Sequence, residues 1–139
     1  KTYGKPTSKE KNMEPRNVIA GALEILADEK NWIKGAEDRQ QLDDSGQLIE
    51  ESCLWGAFKR AAIPGYFRGN ITSEEFALTR NQVEEAAKLV GEVICEQYPD
   101  RSGTVRQHQE AVIPFNDHPE TVHSEVIAIL EKTLAVNED

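Results

Sequence analysis

At 139 residues with a formal net charge of −9, the chain is long enough for one domain with its own core and too acidic for general binding to phosphate backbones. No run approaches the roughly 18 consecutive apolar residues of a membrane helix, which excludes a membrane span. Two cysteines, Cys53 and Cys95, in a chain without a secretory-leader pattern read as reduced thiols and point to a cytoplasmic setting.

The charge is uneven. Residues 1–16 set Lys1, Lys5, Lys9, Lys11 and Arg16 against Glu10 and Glu14, a balance of +3 that leaves −12 for residues 17–139. Residues 1–13 are polar and broken by Gly4 and Pro6, so the reading is a disordered basic arm followed by a single helical domain over 14–139. The chain begins at Lys1, which suggests a trimmed product with Met13 as a candidate start.

Pro15 suits a first helical turn, and Ile19, Ala22, Leu23 and Leu26 recur at helical spacing in a run that reaches Asn31. Gly35 and the polar run from Glu37 end this first helix. Asp44-Ser45-Gly46 is the strongest turn signal in the chain and leaves room for a short hairpin. Leu54, Ala57, Phe58 and Ala61 predict a second helix, stopped at Ile63-Pro64-Gly65, with Glu50 and Glu51 before it and Lys59 and Arg60 late in it, as the helix dipole favours. Thr72 and Glu75 have capping-box spacing for a third helix running towards Pro99, and Asn81 with Glu84 offers a second cap that would break it. Ala111-Val112-Ile113 reads as a short edge strand closed by Pro114. Val126, Ile127, Leu130 and Leu134 form the stripe of a closing helix, with Thr121 as its cap. The fold class is therefore mainly α: one compact domain of about four helices, with a small hairpin or edge strand.

Chemistry is harder to find. Cys53 as a nucleophile needs a base from His108, His118 or His123, and the acidic residues upstream disfavour a thiolate; a buried packing role fits better. His118 and His123 do not share a helical face, and Asp38, Asp43 and Asp44 lack the alternating ligands and central glycine of a calcium loop. Gly65-Tyr66-Phe67-Arg68-Gly69 lacks the strand, lysine and hydroxyl of a phosphate loop, so its aromatics and Arg68 serve either to stack on a ligand or to anchor the loop. Asn116 and Asp117 have two readings. They cap the final helix and tie it to the loop around Trp32, or they present a carboxamide and a carboxylate to a ligand.

The candidate binding residues are Trp32, Asp38, Trp55, Arg68, Asn116, Asp117 and His118; no catalytic residue, metal ligand or cofactor is indicated. Trp32-x-x-Gly35, Cys53-x-x-Gly56-Ala57 and Phe115-Asn116-Asp117, with Val126-Ile127 and Leu130-Glu131-Lys132 beyond, resemble a family of small bacterial and bacteriophage proteins catalogued as a domain of unknown function. The likeness spans residues 16–135 and implies a bacterial or phage accessory protein without implying a mechanism.

Two functional readings follow. The first is a non-enzymatic accessory protein that meets a basic protein surface through Glu84, Glu85, Glu92 and Glu96. The alternative is a small-molecule binder or enzyme with a pocket near Trp32, Cys53 and Asn116-Asp117.

Overall fold

The computed structural model describes residues 14–63 and 72–137. Within them run α1 (Pro15–Leu26), β1 (Asp38–Leu42), β2 (Leu48–Ser52), α2 (Leu54–Ala62), α3 (Ser73–Gln97), α4 (Val112–Asp117) and α5 (His123–Val136), with short 3-10 turns at Glu29–Asn31, Pro99–Arg101 and His108–Ala111. The basic arm expected at residues 1–13 and the loop carrying Arg68 lie outside the described residues.

The apolar stripes converge on one core. Val18, Ile19 and Leu26 of α1 meet Leu54 and Phe58 of α2, Val90 and Ile94 of α3, Val112 and Phe115 of α4, and Val126 and Leu130 of α5, all fully buried. Each such side chain contributes about 1.5–3 kcal/mol by leaving water, which is why the helices hold as a set. The mainly α single domain predicted from periodicity is the observed one, with five described helices in place of about four.

Four local expectations change. First, α1 stops at Leu26, not Asn31, because Asp28 is extended and its carboxylate accepts the Lys30 N–H, which starts a separate 3-10 turn. Second, α3 does not break at Asn81. The exposed Asn81 is followed by Gln82, Val83, Ala86, Ala87 and Val90, all buried, so tertiary burial overrides a local cap signal. The cap predicted at Thr72 is present, with Thr72 Oγ1 accepting the Glu75 N–H and the Glu75 carboxylate accepting the Thr72 N–H, both at 3.1 Å.

Third, the edge strand at Ala111-Val112-Ile113 is absent: Ala111 closes a 3-10 turn, and Val112 and Ile113 open α4. Pro114 is the third residue of that helix, where its missing N–H costs no intrahelical bond. Fourth, Thr121 is not a cap. It is buried, and its hydroxyl accepts a bond from Arg101 Nη1 at 3.3 Å, while the N–H of Val122, at the head of α5, is taken by Glu125.

Arg101 clamps this corner. Its guanidinium lies 4.7 Å from the Tyr98 ring centroid and donates to Glu125 at 2.8 Å. Burial acts to raise the Glu125 pKa, but the Val122 N–H and the Arg101 charge outweigh it and hold the carboxyl below its ordinary 4.5. A depressed folded pKa stabilises above the unfolded value, and that stabilisation is lost as pH falls through the folded one. Glu125→Gln should therefore lower the melting temperature at neutral pH and flatten its fall below about pH 4.5. A melting curve that kept the same acid limb in the variant would remove Glu125 from the account.

The hairpin forms where the turn signal lies. Asp43 N–H donates to the Gln47 carbonyl, and the three intervening residues end in Gly46 at φ 85°, the left-handed position that favours glycine. The Asp43 carboxylate fixes the turn by accepting from Ser45 Oγ and from the N–H groups of Ser45 and Gln47. These bonds, the Ser45 hydroxyl first, lower its pKa. Asp43 thus organises the turn.

Candidate functional site

The three sequence motifs meet in one place, and Asn116 holds them there. It is fully buried at the end of α4. Its Oδ1 accepts from Trp32 Nε1 at 2.7 Å and from the Leu54 N–H at 3.1 Å. Its Nδ2 donates to the Ile33 carbonyl at 3.0 Å and to Asp117 Oδ1 at 2.9 Å. A carboxamide has two donor hydrogens and two acceptor lone pairs, so all four are used.

Asp117 extends the tie. The same Oδ1 accepts the Gly35 N–H at 2.9 Å, and Gly35 has φ 79°, a conformation that Trp32-x-x-Gly35 supplies and a branched residue would resist. Lys34 Nζ donates to the His118 carbonyl at 2.7 Å and lies 5.6 Å from the Trp32 ring centroid. His123 also lies beside that indole, ring centroids 6.1 Å apart, and its Nε2 lies 2.6 Å from the Leu26 carbonyl. A carbonyl only accepts, so this nitrogen carries the proton.

The Cys53 motif completes the joint from β2 and α2. The Cys53 N–H donates to the Glu37 carbonyl at 2.9 Å, and Cys53 Sγ, as the N-cap atom of α2, accepts the Gly56 N–H at 3.4 Å. Gly56 is required because a Cβ there would overlap the Glu37 carbonyl oxygen. Burial, with the nearby charges of Glu37 and Asp117, pushes the Cys53 thiol up to about 11. It is a capping and packing residue with no thiolate at neutral pH.

Of the predicted binding residues, Trp32, Asn116, Asp117 and His118 come together at this joint. The other described candidates do not. Asp38 faces Ser52 across the base of the hairpin, half-buried. Trp55 lines a separate cleft between α2 and α3 with Lys59, Ile63, Phe76, Arg80 and Val83, of about 40 Å³. That is far below the roughly 300 Å³ at which metabolite pockets begin. The expectation that Asn116 and Asp117 cap the final helix is corrected: they end α4, and α5 starts six residues later at His123. Their tie to the Trp32 loop is observed.

Ile33, Lys34, Glu37 and His123 belong to the joint and were not identified from sequence. Two of them contribute backbone carbonyls, which leave no trace in residue type. Among the described residues no group of three or more His, Cys, Asp and Glu could hold a metal ion, and no described helix is long and apolar enough to cross a membrane.

Motifs that interlock through one buried amide fit a scaffold more readily than a reaction centre. The chain belongs to a family of unknown function, DUF6197, whose profile matches residues 10–136. No curated protein and no solved structure matches it.

Proposed function

We propose that this protein is a non-enzymatic accessory module, cytoplasmic and of bacterial or phage origin, that binds a protein partner with a basic surface. The observation that carries the reading is the outer face of α3. Glu84, Glu85, Glu92 and Glu96 are all exposed there, and among the described residues no cation pairs with Glu84, Glu85 or Glu96. Glu92 faces only His108, at 3.7 Å. Unpaired carboxylates on a rigid helix attract a basic surface and speed its encounter, an effect that salt screens. Lys88 interrupts the row and sets a limit on how cationic a partner can be at that point.

The alternative, a small-molecule site at the joint, has less to work with. A ligand there would have to break one of the four hydrogen bonds of Asn116 or displace the Trp32 indole, losing a buried bond to gain one.

The test is pull-down from a bacterial lysate at low and high salt, with wild type and the Glu84→Lys/Glu85→Lys variant side by side. The expected result is a partner that elutes with salt and is missing from the variant. If the two baits retain the same proteins at every salt concentration, α3 is a solvated face and the reading fails.

A further inference from the structure

The hairpin is built unlike the rest of the molecule. All of β1 beyond Asp38 is exposed, and the last rung pairs Leu42 with Leu48, 68% and 58% exposed at the far end of the arm. Among the described residues the sheet has two strands, and none of them adds a third strand to the outer edge of β1. The alternation of the ladder fixes which groups lie on that edge. Cys53 N–H bonds the Glu37 carbonyl at one end and Asp43 N–H the Gln47 carbonyl at the other. The N–H and C=O of Asp38, Gln40 and Leu42 therefore point away from β2.

Isolated two-stranded hairpins are marginal in water, and open edges are usually blunted by lysine, proline or a covering element. Here no lysine or proline lies between Glu37 and Ser52, and three cations, Arg39 of the hairpin with Lys59 and Arg60 of α2, stand against six acids, Glu37, Asp38, Asp43, Asp44, Glu50 and Glu51, a negative balance. Arg39 is itself bonded to Glu51 at 2.7 Å. The edge therefore combines unpaired backbone groups, an exposed leucine pair and a negative surround.

We propose that the β1 edge is a docking strand for a basic, extended segment of a protein partner, which adds to the hairpin as a third strand. Main-chain bonds to Gln40 and Leu42 supply the register, an apolar side chain covers Leu42, and lysine or arginine on the segment answers Asp38 and Asp44, while Glu50 is already held by Arg60 and Gln40. The proposal rests on the basic-partner reading above and adds the place and mode of contact.

The probe is a short peptide of alternating lysine and valine, with its glutamate-valine counterpart as control. Binding is followed by fluorescence anisotropy at low salt and by amide hydrogen exchange. The expected result is binding of the lysine peptide alone, with slowed exchange at Gln40 and Leu42. Gln40→Pro deletes an outward N–H along with the Gln40–Glu50 side-chain bond, for which Gln40→Ala is the control, and Leu42→Asp removes the apolar contact while keeping every backbone group; Gln40→Pro and Leu42→Asp should each weaken the peptide about tenfold or more, and Gln40→Ala should not, with the helical domain intact by circular dichroism.

Peptide binding that Gln40→Pro and Leu42→Asp leave unchanged, but that Glu84→Lys/Glu85→Lys abolishes, would overturn the hairpin proposal and leave the basic-partner reading standing on α3. No binding of the lysine peptide at low salt would overturn both. Equal binding of the glutamate peptide would also overturn both, since charge would then play no part.

Discussion

Asn116→Ala should destabilise the fold by about 3–4 kcal/mol, the largest loss expected from any single polar side chain here. The substitution strips partners from Trp32 Nε1, the Leu54 N–H and the Ile33 carbonyl at once, in a site where water does not reach the amide. Each orphaned buried group costs about 1–3 kcal/mol, and the three are coupled through one residue, so the sum is not simply additive. Asp117→Ala, which removes an exposed acceptor from Gly35 and Asn116, should cost only about 0.5–2 kcal/mol. Chemical denaturation of the two variants measures the ratio. If Asn116→Ala cost no more than Asp117→Ala, the carboxamide would not be the centre of the joint. A ligand role for the pair would then regain ground, above all if stability held while binding was lost.

The contrast between these residues also shows what was legible in the chain. Asn116 and Asp117 were readable as a tie to the Trp32 loop because short amides and carboxylates next to an apolar run rarely lack a backbone partner. Their placement at the end of α4 was not readable. Val112-Ile113-Pro114 has the β-branched residues of a strand, and only its position over the core, with Val112 and Phe115 fully buried, makes it helical. The unbroken α3 has the same cause, since a cap signal at Asn81 is local and the burial that follows it, from Gln82 to Val90, is not.

The hairpin was legible from Asp44-Ser45-Gly46 because its turn is settled by the side chain of Asp43 and the φ of Gly46, both local quantities. The joint's other members are tertiary. Lys34 reaches the His118 carbonyl and His123 the Leu26 carbonyl across 84 and 97 residues of sequence, and nothing in the local pattern marks either contact. Partner identity was legible only as a sign of charge, since one face of acids fits many basic surfaces.

Gly91→Ala offers the sharpest test of how that tertiary packing overrides local preference. Gly91 is buried in the middle of α3, and helix propensity alone predicts that alanine there stabilises the protein by about 1 kcal/mol. The structure predicts the opposite sign. A Cβ at Gly91 would overlap the carbonyl of His108, a backbone group held in the 3-10 turn that crosses the helix at this point. Relief requires moving the whole His108–Ala111 turn, and with it Ala111 and the start of α4, off the core. The expected loss is about 3 kcal/mol, at the upper end for overpacking because a main-chain segment must shift instead of a flexible side chain. Gly21→Ala is the internal control: its Cβ would meet the Ala61 methyl at 2.8 Å, so its neighbour is a side chain on a second helix and the cost should be smaller. Denaturation midpoints that rose for Gly91→Ala would show that the His108 turn yields freely, and the crossing of α3 by that turn would no longer count as a rigid part of the fold.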